Sequence, residues 1–393
     1  MSLLPVTEAQ TRLLGLAAPL PTEVIPLASA GGRWTTTEIK ALRSQPARDL
    51  SAMDGYAVRF ADLPGPLNVI GTSAAGAAFE GTVTSGEAVR IFTGAALPLG
   101  ADTVILQEDV EREDAQILMT CSGPPELGSH IRRAGSDFNE QQMIIPAGAQ
   151  LSPRHVALAA LAGYAALPLP RLPRIAIISS GSELVPLGAA TRSDQIPSSN
   201  ALMLQAMLSA LPCKVTDVGI VPDDLTTLSN CVADLRDHDV IVTTGGASVG
   251  DHDLVKPALE KAGGAIDFWK IAMRPGKPLI SGKIGDALFL GLPGNPVSAF
   301  VTATLFLLPL VRRLAACPAP LPIFQTGMLA GRMPQVGQRE DYARGILADG
   351  VVTPLSVQDS AATLGLSLAN CLIRRPARSN SASAREKVAI LPI

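Results

Sequence analysis

Val240-Ile-Val-Thr-Thr-Gly-Gly-Ala-Ser-Val-Gly-Asp-His-Asp253 is the stretch on which the fold turns. Its β-branched start, Val240 to Val242, predicts a short buried strand. Gly245, Gly246 and Gly250 open a turn with little side chain in it, and Leu254 onward predicts a helix. A strand, a glycine turn and a helix start place backbone N–H groups at the carboxyl end of a sheet, where they can hold a phosphate. The turn is neither G-x-G-x-x-G nor the P-loop pattern, so neither a dinucleotide site nor a P-loop nucleotide site follows. Asp251 and Asp253 would repel a phosphate unless a divalent cation or a cationic side chain stood between them. A plain β-α turn accounts for the same letters equally well.

The rhythm around this stretch is that of an α/β layer with a mainly parallel sheet. Upstream, a strand at Ile175 to Ile178 leads into the turn Ser179-Ser-Gly-Ser-Glu183. Ser198, Ser199 or Asn200 then caps an apolar helix running to Leu211, and a strand at Val215 to Val221 precedes a helix from Leu225 to Leu235. Downstream, strands are expected at Ala265 to Trp269, Leu279 to Ile280 and Ala287 to Leu290, with a closing helix from Pro296. Ligands of such sheets sit outside the carboxyl ends of the strands, where all these turns fall.

The flanks read differently. Residues 1 to about 45 hold an amphipathic start. Short strands with Gly and Pro between them, such as Leu67 to Ile70, Ala88 to Phe92, Thr103 to Leu106 and Gln116 to Met119, predict a small β-rich unit over 46–140. Residues 141–170, with a helix from Pro153, would return to pack on the N-terminal segment and make that unit an insertion. The run Leu167-Pro-Leu-Pro-Arg-Leu-Pro173 reads as a stiff linker. The expected division is therefore 1–45 with 141–170, then 46–140, 171–317, and a small C-terminal β unit over 318–393 with a mobile loop at Arg378 to Glu386.

Composition sets bounds on this. The chain has 393 residues, 47% hydrophobic and 17% charged, enough for several cores. A net charge of −3 without a Lys or Arg run argues against a general nucleic-acid binder. Five scattered cysteines without C-x-x-C, and four histidines without metal spacing, argue for a reducing cytoplasm and against a zinc site. No charged residue occurs from Ala287 to Val311, but Pro293-Gly-Asn-Pro296 interrupts the run. That favours a buried strand, a turn and a buried helix over a membrane span, with Asn295 as N-cap and Pro296 at the first helical position.

Several constellations carry chemistry. Lys270, Arg274 and Lys277 lie within eight residues at a strand end, and convergent cations grip multiply charged oxyanions. Gly291-Leu-Pro-Gly-Asn-Pro296 is a bare turn before a helix, a second anion-binding end. Asp223, at the end of the strand before the opening one, would lie near Asp253, and such a pair can hold Mg²⁺ or act as acid and base. Asp224 beside it reads as a helix N-cap. Asp54-Gly is ordinary turn chemistry.

Taken in order, Ser51-Ala-Met-Asp-Gly-Tyr-Ala-Val58, Arg90-Ile-Phe-Thr-Gly-Ala95, Ile131-Arg-Arg-Ala-Gly-Ser-Asp137, Thr244-Gly-Gly-Ala-Ser-Val-Gly250, Arg274-Pro-Gly-Lys277 and Leu292-Pro-Gly-Asn-Pro296 closely resemble the molybdopterin molybdenumtransferases. These are molybdenum insertases, to which the C-terminal part of gephyrin also belongs. The resemblance covers nearly the whole chain. It implies an elongated homodimer of four-domain subunits with a three-layer α/β pterin-binding domain and β-rich domains. It also implies Mg²⁺-assisted insertion of molybdate into adenylylated molybdopterin with release of AMP, in a cleft faced by the partner subunit's β-domain. An upstream molybdopterin adenylyltransferase is the implied supplier.

By motif position, Asp54, Thr93, Asp137, Glu183, Asp223, Asp253, Lys270 and Arg274 match functional residues of the family. The expected catalytic set is Asp54, Asp137, Asp223, Asp253, Lys270 and Arg274, with Mg²⁺ on Asp223 and Asp253. Thr93, Glu183, Ser198, Asn200, Gly245, Gly246, Ser248, Gly250, Lys277, Pro293, Asn295 and Pro296 are the expected substrate contacts. The pterin would supply the soft sulfur ligands for molybdenum, in keeping with the absence of a Cys or His cluster. Arg274 stands where many members carry lysine, and Ser182 where an aspartate is common. The rival reading is a non-catalytic scaffold of the same fold. It could dispense with the carboxylates and cations that this chain keeps.

Overall fold

The computed structural model describes residues 3–246 and 254–393. At its centre is a six-stranded sheet in the order Lys214–Val221, Arg174–Ser180, Val240–Thr244, Ala287–Leu292, Ile280–Ile284, Ala265–Trp269. Of these, only Ile280–Ile284 runs against its neighbours. The two central strands are buried at every position, as expected where helices cover both faces. Register aligns Trp269 with Ile280, Ile280 with Gly291, Gly291 with Thr243 and Thr243 with Ile178. The glycine turn, the Pro293–Pro296 turn and Lys270 therefore leave the sheet along one rim.

The apolar run after Pro296 is a helical stretch, Pro296–Leu314, long and apolar enough to cross a membrane but 78% buried inside the protein. Asn295 and Pro296 take the N-cap and first positions, although Asn295 makes no side-chain cap. Ala303–Leu307 widens into a π-turn. Pro309 has no N–H for the carbonyl of Leu305, four residues back. Gln10 Nε2 donates to that carbonyl instead, at 2.9 Å.

That bond corrects one expectation. The amphipathic start does not stay with 141–170. The helix Val6–Gly15 lays Val6, Ala9 and Leu13 into the core of the α/β unit. Burying a leucine such as Leu13 contributes about 2 kcal/mol, and the orphaned carbonyl of Leu305 supplies the polar anchor. A second core, including Ile39, Ile145, Leu151, Ala159, Leu167 and Leu169, joins the segment after this helix to the 141–170 return.

The Pro-rich run is also not a linker. Ala166–Pro170 is a strand paired antiparallel with Thr22–Pro26. Leu167 and Leu169 alternate inward at 0% exposure, and a two-stranded ribbon leaves edges where proline's missing N–H is tolerated. The apolar helix after Asn200 ends at Leu208, three residues earlier than read.

Residues 55–119 form a six-stranded sheet in the order Thr103–Leu106, Gly55–Val58, Glu87–Ile91, Leu67–Ser73, Gln116–Met119, Val110–Glu113. Toward the C-terminus, Glu340–Ala348 pairs with both Val351–Pro354 and Cys371–Arg375, closing a five-stranded barrel with Gln325–Leu329 and Lys387–Pro392. The loop from Arg378 to Glu386 is pinned rather than loose, because Ala382 is buried and bonds Met333 backbone to backbone in both directions. Met273–Arg274, a strand that sequence reading missed, adds to this barrel in parallel with Glu340–Asp341. It ties the α/β unit to the barrel.

Candidate functional site

Gly245 sits at φ +95°, and a Cβ built there would lie 1.9 Å from the carbonyl oxygen of Ser180. Two neighbouring strand ends therefore touch backbone to backbone, which only glycine permits. A Cβ built on Gly294, from the next turn, would meet the Gly245 Cα at 3.4 Å. These bare turns form the floor of a cavity of ≈ 600 Å³, walled by Glu183, Gly246, Arg274, Lys277, Pro293 and Asn295. The C-terminal barrel completes the wall with Arg339, Gln358, Asp359 and Ser360.

Three cations thus face two carboxylates across the cavity. Arg274 is the most committed of them. Its Nε and Nη2 donate to the two oxygens of Asp341 at 3.0 and 2.6 Å, which raises the guanidinium pKa. Lys277 and Arg339 carry no ion pair among the described residues, so attraction for an incoming anion rests mainly on them.

A smaller cleft adjoins the cavity and shares Glu183, Gly245 and Gly294 with it. Ser198, Asn200 and Pro296 belong to its lining. Asn200 Nδ2 donates to Thr244 Oγ1 at 2.8 Å and to the Gly294 carbonyl at 2.7 Å, clamping the two turns together. Its Oδ1 is buried and receives no hydrogen bond among the described residues, an acceptor left for a ligand. Ser198 Oγ donates to Ser179 Oγ at 3.1 Å.

Behind this cleft, Asp223 accepts from Ser180 Oγ at 2.8 Å and from Ser182 N–H at 3.1 Å. Asp224 is the N-cap, accepting from Thr227 N–H at 2.8 Å. Among the described residues no group of three or more His, Cys, Asp or Glu side chains converges. Mg²⁺ usually keeps several waters and takes only one or two carboxylates beside substrate phosphates. Asp223, with lone pairs to spare on both oxygens, suits that kind of site.

The other expected residues fall in different places. Lys270 lies on the rim but lines neither cavity. Its backbone is held at φ +72°, and Nζ stands 3.9 Å from the centroid of the Trp269 ring. The three expected cations therefore do not all converge, because Lys270 turns off at the edge strand while Arg274 and Lys277 follow the bend inward. Ser248, Gly250 and Asp253 lie outside the described residues.

Asp54, Thr93 and Asp137 belong to the 46–140 region and line neither cavity of their own chain. Asp54 Oδ1 accepts from Thr93 N–H at 2.7 Å and Thr93 Oγ1 at 2.8 Å, and these bonds hold its pKa below the ordinary carboxylate value. Asp137 is exposed, and its N–H donates to the Gln45 carbonyl at 3.0 Å.

Sequence reading missed the barrel's contribution. Arg344 is 1% exposed, and its guanidinium donates to the carbonyls of Val357, Asp359 and Ala362 at 2.8–3.0 Å. It thereby shapes the loop that presents Ser360, whose Oγ accepts from Asn295 Nδ2 at 2.9 Å. The dense charge of Arg339-Glu-Asp341 was the one local signal available.

A mainly parallel sheet with glycine turns, a buried acceptor without a partner among the described residues and cations outside its strand ends defines an α/β protein whose site suits an oxyanion. Comparison with known proteins narrows the class. Residues 4–163 match the MoeA N-terminal region (domain I and II), 176–313 a probable molybdopterin binding domain, and 326–393 the MoeA C-terminal region (domain IV). The molybdopterin molybdenumtransferase of Haemophilus influenzae is 37% identical over 401 residues, covering 99% of this chain and 98% of the relative. That of Bacillus subtilis is 30% identical, covering 99% and 94%. The crystal structure of a molybdopterin biosynthesis moeA protein from Pyrococcus horikosii superposes with a TM-score of 0.86 at 28% identity, covering 100% of this chain and 99% of the other. The chain belongs to the molybdopterin molybdenumtransferases, transferases of molybdenum cofactor biosynthesis.

Proposed function

We propose that the chain inserts molybdate into adenylylated molybdopterin and releases AMP, with Mg²⁺ assisting. The observation that carries this reading is the cavity in which Arg274, Lys277 and Arg339 surround a floor of bare turns. Molybdate, the pterin phosphate and the adenylyl group are all anions. Bringing them together requires cations to offset their mutual repulsion and backbone surfaces that a phosphate can approach closely. Lys277 and Arg339 hold the oxyanions, Arg274 is oriented by Asp341, and Asn200 Oδ1 accepts from a donor on the ligand.

Asp223, with Asp253, would hold Mg²⁺. When bound, the ion offsets charge building on the leaving phosphate. Asp54, Thr93 and Asp137 do not line the cavity of their own chain, so the reading includes a homodimer whose inserted domain faces the cavity of the other subunit. The domain division is the one read from the sequence, except that the helix Val6–Gly15 goes with the α/β unit. The protein works in the cytoplasm and receives its pterin from a molybdopterin adenylyltransferase. The test is to mix purified protein, adenylylated molybdopterin, molybdate and Mg²⁺ and to measure AMP. The expected result is molybdate-dependent release, and release no faster than without protein overturns the reading.

A further inference from the structure

Lys270 and the tryptophan before it make an arrangement that the cavity chemistry leaves unused. Lys270 Nζ lies 3.9 Å from the centroid of the Trp269 ring, and Lys256 Nζ lies 5.1 Å from the same centroid. Trp269 is half-buried and packs against the part of the α/β core that includes Val255, Leu259 and Ile280. Its Nε1–H is buried without an acceptor among the described residues. A phenylalanine would fill the same place without orphaning a donor. The advantage of tryptophan there is its ring face, the best of the aromatics for a cation.

The lysine's backbone is fixed while its side chain has a choice. Lys270 N–H donates to the Leu279 carbonyl at 3.2 Å, and its carbonyl accepts from Leu4 N–H at 3.3 Å. These bonds hold a φ of +72° that lysine seldom adopts. The next residue, Ile271, donates its N–H to the Lys277 carbonyl at 3.0 Å, and Lys277 lines the α/β cavity. Lys270 therefore starts from the edge of that cavity, on a flexible stem that can turn either way. A cation–π contact at a partly exposed ring is weak beside a charge-assisted hydrogen bond to an oxyanion. Lys256, a like charge over the same ring, loosens the hold further.

We propose that Trp269 is a positioning residue for Lys270: its ring face stores the ammonium at the edge of the α/β cavity, and the lysine exchanges the ring for an incoming oxyanion. Storage competes with anion binding, so removing the ring strengthens binding. A ring with a purely structural role would weaken binding when removed. The choice of molybdate as the anion rests on the proposed insertion reaction.

The probe is sodium molybdate, titrated calorimetrically into the full chain. Trp269→Leu should tighten binding roughly two- to fivefold, the strength of an exposed cation–π contact. Trp269→Phe keeps a ring with a weaker face and should tighten it by less; this variant decides the matter if Trp269→Leu fails to fold. In a Lys270→Met chain, where no ammonium is stored, changing Trp269 should leave the affinity unmoved. In a Trp34→Phe chain Trp269 is the single tryptophan, so its emission reports the exchange directly. That emission should change as molybdate saturates the site, and adding Lys270→Met should abolish the change. The storage role is overturned if the folded ring variants bind molybdate no more tightly than the parent, or if tightening persists with Lys270→Met. Constant emission during saturation, or no molybdate binding in any of the chains, overturns it too. AMP release is assayed separately. Chains that show these shifts but release no AMP keep the storage role and lose the insertion reading, and AMP release without the shifts does the reverse.

Discussion

Gly245→Ala tests whether the glycine turn exists for close backbone approach. Two costs follow from the geometry. At φ +95° an alanine is held where L residues are strained, about 1–3 kcal/mol. Its Cβ would also stand 1.9 Å from the Ser180 carbonyl oxygen, against a normal carbon–oxygen contact of about 3.3 Å. The strands that must separate are hydrogen-bonded neighbours in the centre of the sheet, Ser179 opposite Thr244. Overpacking of that kind costs about another 1–3 kcal/mol.

The sum is about 2–6 kcal/mol, and its midpoint lowers the melting temperature of the α/β unit by roughly 10 °C. Gly263→Ala is the control, because Gly263 has φ +87° but nothing within 4 Å of a built Cβ. It should show the backbone share alone, roughly 3–6 °C. Scanning calorimetry and molybdate-dependent turnover together decide the matter. Equal shifts in the two variants, or full turnover in Gly245→Ala, refute the reasoning.

Lys277→Gln should raise the KM for molybdate roughly tenfold and reduce its salt dependence, since a cation lining the cavity is lost; steady-state kinetics at two ionic strengths check this. Thr93→Val removes one of the two donors to Asp54, so its depressed pKa should move back up toward 3.8, as NMR titration of the carboxyl would record. A carboxylate with a depressed folded pKa contributes stability that is present above its unfolded value and lost as pH falls through the folded one. The variant should therefore lose that contribution at higher pH than the parent. Lys270→Gly relieves a backbone held at φ +72° and should leave melting unchanged or raise it by the equivalent of about 1 kcal/mol, while lowering turnover. A lower melting point would show that the Lys270 side chain stabilises the fold.

Much of the central sheet was legible because burial leaves a local mark. Buried strands are short apolar runs, and Val240–Thr244 and Ala287–Leu292, buried at every position, each contain the run that predicted them. The misreadings concern partners far along the chain. A Pro-Leu alternation looks like a linker until Thr22–Pro26 lies beside it. The helix Val6–Gly15 has an apolar face that any core could bury, and the partners it meets, the α/β core and the Leu305 carbonyl, lie close to 300 residues away.

The sequence by itself determined the glycine turns, the alternation that makes the sheet parallel, and the ordered motifs that mark the family, because each rests on residues adjacent in the chain. Only the tertiary structure decided which charges meet. It drew Arg274 onto Asp341 and left Lys277 and Arg339 in the cavity without an ion pair among the described residues, while placing Lys270 over Trp269. Electrostatic pairing depends on distance in space, and side chains remote in sequence carry no local signal of which partner they will reach.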